Sequence, residues 1–228
     1  MENIRCVNCA NRPQCFFGGL SEEESDFLAH HKKEVFFKAG ETFYKQGTSS
    51  QYLIFLLSGM AKVSIEGDDH KTFILQLVKP FAFLDFPAIF DHDQLYRSSV
   101  AVIDSVACLV DMEAFKSIVM SNKAHFPNLI RYFNQIQHHY TSRMVNVLYK
   151  NMEARIADAI LYLANEVYYS RSFRLDLSRK DMAELAGMSK ESTSRILSQL
   201  KDQEIIRLKG KQMEVLDKKY LEQLSRLG

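Results

Sequence analysis

Residues 178–200 read SRKDMAELAGMSKESTSRILSQL, and the parsing of this stretch decides the fold. Ser178 followed three residues later by Asp181 is a helix-start signature, because hydroxyl and carboxylate can each satisfy an N–H of the first turn. Gly187 breaks that helix, and Ser189 caps the next one. In the second helix Thr193, Ile196, Leu197 and Leu200 stand at i, i+3, i+4 and i+7, one apolar face that must pack on the preceding helix. Lys190, Glu191, Ser194, Arg195 and Ser198 then point outward together, most of them in the first two turns. A helix-turn-helix reader presents base-contacting side chains in this way. Arg pairs bidentately with guanine, a carboxylate accepts from cytosine N4, and Ser bonds to bases or phosphate. Ser189, Ser192, Arg179 and Lys180 complete the candidate DNA contacts.

Charge around the helix pair agrees. From Arg171 to Lys211 there are ten Lys or Arg and six acids, a balance of +4, whereas residues 1–152 carry 15 bases and 16 acids. Positive charge is therefore concentrated where phosphate would be met. A charged helix face taken alone is more often just a solvated face. The glycine turn, the caps and the basic hairpin that follows (Ile205–Leu208, Lys209-Gly210-Lys211, Met213–Leu216) shift the reading to DNA binding.

Upstream, short apolar runs alternate with turns at Ala39-Gly40-Glu41, Gln46-Gly47-Thr48, Ser58-Gly59 and Gly67-Asp68-Asp69, the punctuation of hairpins. Val35–Phe37, Thr42–Lys45, Leu53–Leu57, Ala61–Glu66, Phe73–Val78 and Arg97–Asp111 have strand length and strand composition, predicting an antiparallel roll or barrel. After Pro127 the period changes. Ile130, Phe133, Gln137, Tyr140, Met144, Val147 and Asn151 follow a three-four alternation, the seam of a long helix packed on another helix. The partner is either its own domain or a second copy of the chain. A further helix is expected over Glu153–Glu166 and a strand over Phe173–Leu177.

Composition narrows the classes. The chain has 228 residues, 46% hydrophobic and 25% charged, with a net charge of +1. That suits a globular protein of one or two domains. The most apolar stretch, Phe73–Phe90, is interrupted by Lys79, Pro80, Asp85 and Pro87 and cannot cross a bilayer as an unbroken helix. The first residues lack the apolar segment of a secretory signal, so no membrane association and a cytoplasmic location are expected. In a reducing cytosol the four cysteines are not a disulfide scaffold. Cys6, Cys9 and Cys15 lie within ten residues, while Cys108 stands alone between Val106 and Val110. Three thiolates on one loop can converge on a metal, with a fourth ligand supplied from elsewhere. Cys108 is the remaining cysteine, although a strand cysteine is by default a small core hydrophobe. Spacing alone leaves zinc and a [4Fe-4S] cluster equally open.

The run from Asp181 to Leu197 resembles the winged-helix signature of the CRP/FNR superfamily of bacterial transcription regulators. Lys38-Ala39-Gly40-Glu41, Gly47 and Leu57-Ser58-Gly59 resemble the turn glycines of its cyclic-nucleotide-binding-type roll, and 130–151 falls where its dimerisation helix lies. The resemblance implies an α+β protein: a cysteine-containing segment (1–19), a β-roll sensor (20–125), a long dimerisation helix (126–151) and a C-terminal winged helix-turn-helix (152–228). It also implies a homodimer on double-stranded palindromic DNA. Glu191, Ser194 and Arg195 match the Glu-x-x-Ser-Arg pattern of the FNR branch, which favours TTGA-type half-sites. The two-and-five cysteine spacing also resembles FNR, implying that Cys6, Cys9, Cys15 and Cys108 ligate an oxygen-labile [4Fe-4S] cluster that responds to oxygen or nitric oxide. One feature departs from that branch: no Asp or Glu lies between Pro127 and Asn151, where FNR relies on an acidic residue to keep its cluster-free form apart. A tilt within a permanent dimer would serve in its place.

Other readings compete. Arg97-Ser98 resembles the pair that holds the cyclic phosphate in cyclic-AMP-binding members, a sound role for a guanidinium. The stretch Pro80–Pro87, however, has no Glu for the ribose and no Gly, and its phenylalanines would fill the pocket. A cyclic nucleotide is therefore not expected, and a CRP-like regulator under a small ligand, or a structural zinc, is the alternative. No phosphate loop, nucleophile elbow or metalloprotease spacing suggests an enzyme. His92 between Asp91 and Asp93 reads as an acidic turn. RNA polymerase is a partner by family analogy only.

Overall fold

The computed structural model describes residues 15–84, 94–122 and 125–226. Cys6, Cys9, Asp85 and His92 lie outside them. Contacts divide the chain into two units, one taking residues up to Glu66 with Leu77–His138, the other Gly67–Gln76 with His139 onward.

The first unit is built on a sheet centred on its longest pair of strands. Cys15 precedes a 3-10 turn, Phe16–Gly19, and then come α1 (Glu22–His30), β1 (Lys32–Phe37), β2 (Thr42–Tyr44) and β3 (Tyr52–Glu66). Strand β4 (Thr72–Val78) ends in this unit; β5 (Ala82–Phe83), β6 (Ser98–Asp111) and α2 (Met112–Ser121) follow. Ser21 and Glu24 close a capping box on α1, and Asp111 caps α2. β6 pairs antiparallel with β1 (Lys32 opposite Val110, Phe37 opposite Ser105) and with β3 (Tyr52 opposite Asp111, Ser64 opposite Ser98). Side chains alternate across β6 as the strand period requires. Cys108 and Val110 join Phe17, Phe55, Phe83, Phe115 and Leu129 in one apolar cluster, while Ala107 lies with Ile54, Leu56 and Val63 in the other.

The structure corrects the hairpin expected at Ser58-Gly59. Residues 52–66 form one strand, with pairing shifts between Leu56 and Ala61. Gly59 has φ +91°, and a Cβ there would lie 2.2 Å from Ser105 Oγ and 2.6 Å from the Asp104 carbonyl oxygen. A glycine with positive φ makes a bulge as readily as a turn, and here the partner backbone lies against it.

A single helix, α3 (His125–Tyr149), runs through the division between the units and bears out the long helix expected there. In the second unit Asn151 caps α4 (Met152–Tyr162), whose Ala154, Ile156, Ala157 and Ile160 are buried. The helix expected to reach Glu166 in α form changes to a π-helical turn over Leu163–Val167, closed by Tyr168 N–H donating to the Leu163 carbonyl at 2.8 Å. The expected Phe173–Leu177 strand shortens to β7 (Ser172–Arg174), though Leu175 N–H still reaches the Lys211 carbonyl. α5 (Arg179–Ala186), α6 (Lys190–Asp202), β8 (Ile206–Lys209), β9 (Gln212–Val215) and α7 (Lys218–Arg226) complete the unit. Its three strands are ordered β7-β9-β8. No helix among the described residues is long and apolar enough to cross a membrane.

Candidate nucleic-acid interface and sensor residues

Local chemistry forms the reading helix. Ser178 Oγ accepts from Asp181 N–H at 3.1 Å and Asp181 Oδ2 accepts from Ser178 N–H at 2.9 Å, the reciprocal pair that starts α5. Gly187 ends α5 in the left-handed region at φ +63°, where a side chain would be strained. Ser189 Oγ accepts from Ser192 N–H at 3.1 Å and starts α6. Thr193, Ile196, Leu197 and Leu200 are the buried residues of α6. Lys190, Glu191, Arg195 and Ser198 are exposed, and Ser194 is half-buried beside them. Ser189 and Ser192 also serve the cap, their hydroxyls 3.1 Å apart. Arg179 and Lys180 are exposed at the first turn of α5, with Lys180 paired to Glu184 at 3.5 Å. Lys209 and Lys211 flank Gly210 at the exposed tip of the β8–β9 hairpin.

The seam residues of α3 divide. Ile130, Phe133 and Met144 are exposed, together with Phe126, Val145, Leu148 and Tyr149, a large apolar set for one helix. Gln137 is half-buried, Tyr140 is buried, and the Val147 methyls lie 3.0 and 3.1 Å from where a Cβ on Gly187 would stand. Tyr140 and Val147 thus have partners within this chain.

On the sensor side, Cys15 and Cys108 both belong to the first unit's larger apolar cluster. Cys108 is 6% exposed in the Phe17–Phe55–Phe83–Phe115 cluster, and Cys15, half-buried, packs against the same cluster. Phe16, next to Cys15, meets Phe83 edge-on at 5.1 Å between ring centroids. Phe83 N–H donates to Tyr132 Oη at 2.9 Å, and Tyr132 lies on α3. Phe83, expected to block a nucleotide pocket, is spent in this aromatic cluster.

The Arg97-Ser98 pair is occupied otherwise. Ser98 is buried; its Oγ accepts from Gln46 N–H at 3.0 Å and donates to Glu66 Oε1 at 3.2 Å. Gln46 and Glu66 also exchange side-chain to backbone bonds at 2.8 and 3.0 Å. Arg97 is half-buried and engaged.

Sequence reasoning did not single out Arg143. Its side chain, on α3, is buried, and Nη2 donates to the Leu185 carbonyl at the end of α5. The guanidinium lies 5.6 Å from the Phe73 ring centroid and 5.7 Å from that of Tyr162, and Nε has no hydrogen-bond partner among the described residues. Burial lowers its pKa from the ordinary arginine value, opposed by Tyr162, Asp158 and Glu166. Arg155 Nη1 donates to the Gly187 carbonyl at 3.3 Å and Nε to the Lys150 carbonyl at 2.8 Å. The only sequence trace of Arg143 was a cation on an otherwise acid-free helix.

Comparison with known proteins fits these two halves. Residues 34–122 match the cyclic nucleotide-binding domain and residues 154–224 the Crp-like helix-turn-helix domain. The chain is 22% identical to the CRP-like cAMP-activated global transcriptional regulator of Mycobacterium tuberculosis, over 92% of this chain and 96% of that protein. It is 26% identical to the cAMP-activated global transcriptional regulator CRP of Salmonella typhimurium, over 83% and 91%. FixK2 from Bradyrhizobium japonicum shares the fold with a TM-score of 0.78 at 19% identity, covering 86% of this chain and 98% of that one. A putative crp/fnr-family regulator from Eubacterium rectale does so with a TM-score of 0.77 at 16% identity, covering 92% and 97%. A nucleotide-binding-type sensor domain followed by a capped reading helix and a basic wing makes the chain a DNA-binding transcription regulator of the CRP/FNR superfamily, and not an enzyme.

Proposed function

We propose that the protein acts as a homodimer that reads a palindromic, TTGA-type operator and changes its affinity when oxygen or nitric oxide reaches the amino-terminal thiols. The observation that carries the sensing part is that Cys15 and Cys108 share one apolar cluster, although they stand 93 residues apart in the chain. Thiolates are the soft ligands an iron-sulfur cluster takes, and aromatic walls keep water from them. Cys6, Cys9, Cys15 and Cys108 would hold a [4Fe-4S] cluster, which supplies iron and sulfide that oxygen and nitric oxide attack. The chain's own residues carry the consequence. Phe16 follows Cys15 and packs on Phe83, and Phe83 bonds Tyr132 of α3, so displacement of the Cys15 segment unpacks a neighbour of the helix that carries the apolar set. That set supports the dimer, because seven exposed apolar side chains on one helix are costly in water and are covered by a second copy. Polymerase contact, as in other regulators of this type, would follow once the dimer is on DNA.

Activation by a cyclic nucleotide, the property named for the M. tuberculosis and S. typhimurium relatives, has a specific observation against it. The Ser98 hydroxyl proton is given to the Glu66 carboxylate, and a phosphate would have to take that proton while facing the carboxylate's charge. The test is an anaerobic absorption spectrum with iron and sulfide analysis, followed by operator binding before and after air. Iron and acid-labile sulfide near four per chain, with binding lost in air, are expected. A zinc-loaded protein, or equal affinity in both states, ends the gas-sensing reading. A shift on adding cyclic AMP replaces it with the nucleotide.

A further inference from the structure

The turn between α5 and α6 is gripped from outside the helix pair. The last carbonyls of a helix have no intrahelical donor, and a cation there is favoured by the helix dipole. Arg143 of α3 supplies that donor to Leu185, and Arg155 of α4 supplies one to Gly187. The face of Gly187 that lacks a side chain receives the Val147 methyls, and the Phe73 ring lies 3.5 Å from the same point. The α3 residues 143 and 147 are one helical turn apart, so both grips come from a single face.

The grip is poorly explained as a stabilising device. A buried guanidinium whose Nε has no partner among the described residues loses hydration that one carbonyl, two ring faces and the charges of Asp158 and Glu166 only partly replace. An apolar side chain of similar length would fill the same space without that loss. What Arg143 adds over such a side chain is direction, since a planar donor fixes the angle of what it bonds.

We propose that Arg143, with Val147 against Gly187, forms a socket that sets the direction of α6 relative to α3, making Arg143 a positioning residue for two-site DNA reading. The inference rests on the dimer reading above, for two recognition helices reach successive half-sites only if each is held at a fixed angle to its own α3. Loss of the socket leaves each reader intact and frees its direction. Specificity for half-site spacing then falls while single half-site affinity stays.

The test uses the full-length protein and the operator it selects from random duplex DNA, kept anaerobic. Binding is measured by anisotropy on the selected site, on sites with one or two base pairs added or removed between halves, and on a lone half-site. Wild type is expected to prefer one spacing by roughly tenfold or more. Arg143→Met should flatten that preference to about threefold or less, keep half-site affinity within about twofold, and unfold no earlier than wild type. Arg143→Lys, which restores one donor, should recover part of the preference. Val147→Ala, which empties the contact at Gly187 without touching a charge, should flatten it too, and decides the matter if Arg143→Met fails to fold. Retained spacing preference in both variants overturns the socket and leaves the dimer reading standing. A half-site loss as large as the full-site loss overturns it as well, by making Arg143 part of the reader's own fold. Wild type without any spacing preference overturns the dimer reading and the socket together.

Discussion

The reading helices and the thiol cluster are assembled by opposite means. In α5 and α6 the helix starts and the apolar face are set by partners three or four residues away: Ser178 with Asp181, Ser189 with Ser192, Thr193 with Ile196 and Leu197. Around Cys108 the partners come from Phe17, Phe55, Phe83, Phe115 and Leu129, scattered over the length of the first unit. Short-range structure depends on few interactions and is readily reset by one substitution at its cap or turn. Long-range structure depends on packing density and resists small changes until a volume no longer fits.

Five substitutions sharpen that contrast. The largest effect belongs to the packed side. Gly59→Val places a β-branched side chain at φ +91° against the β6 backbone, and should cost about 3 kcal/mol in chemical denaturation. Tolerance of valine there would mean that the bulge is not as close as described. On the local side, Arg195→Ala should leave the unfolding transition unchanged and weaken operator binding by about 1–3 kcal/mol, with relaxed base preference at one position of each half-site. Equal weakening on all sequences would demote Arg195 to a phosphate contact. Ser178→Ala and Ser21→Ala each remove one arm of a capping box, in the reader and in the sensor unit. Each should cost about 1 kcal/mol of stability, and only the first should also lower DNA affinity. Smallest is Lys209→Ala at the wing tip. It should reduce the slope of log affinity against log salt by about 0.9 and leave sequence preference alone.

Legibility in the sequence follows the same division. The α6 pattern needed only helical spacing, and its buried face matches residue for residue because α5 lies next to it in the chain. The strand boundaries at Ser58-Gly59 were misread since a bulge and a hairpin turn place the same demand on a glycine, and only the nearness of Ser105 distinguishes them. The π turn at Leu163–Val167 has no local marker, for its apolar residues keep helical spacing either way. Cys108 was legible as a buried strand residue; that Cys15 would pack on its cluster came from resemblance rather than from spacing. Ser98 was singled out only through its resemblance to a phosphate-holding pair, and its bond to Glu66 crosses 32 residues. Arg143 carried no signal of its role, because its acceptor, Leu185, lies 42 residues on.

The missing side chain at Gly187 also bears on how such regulators can be recombined. A reader segment transplanted onto another protein's stem brings its notch along, and the stem must offer a branched residue of Val147's size at the matching turn, neither bulkier nor much smaller. Substitutions at positions 147 and 187 should therefore be exchanged as a pair, and a chimera that swaps one without the other would carry a hole or a collision at its joint.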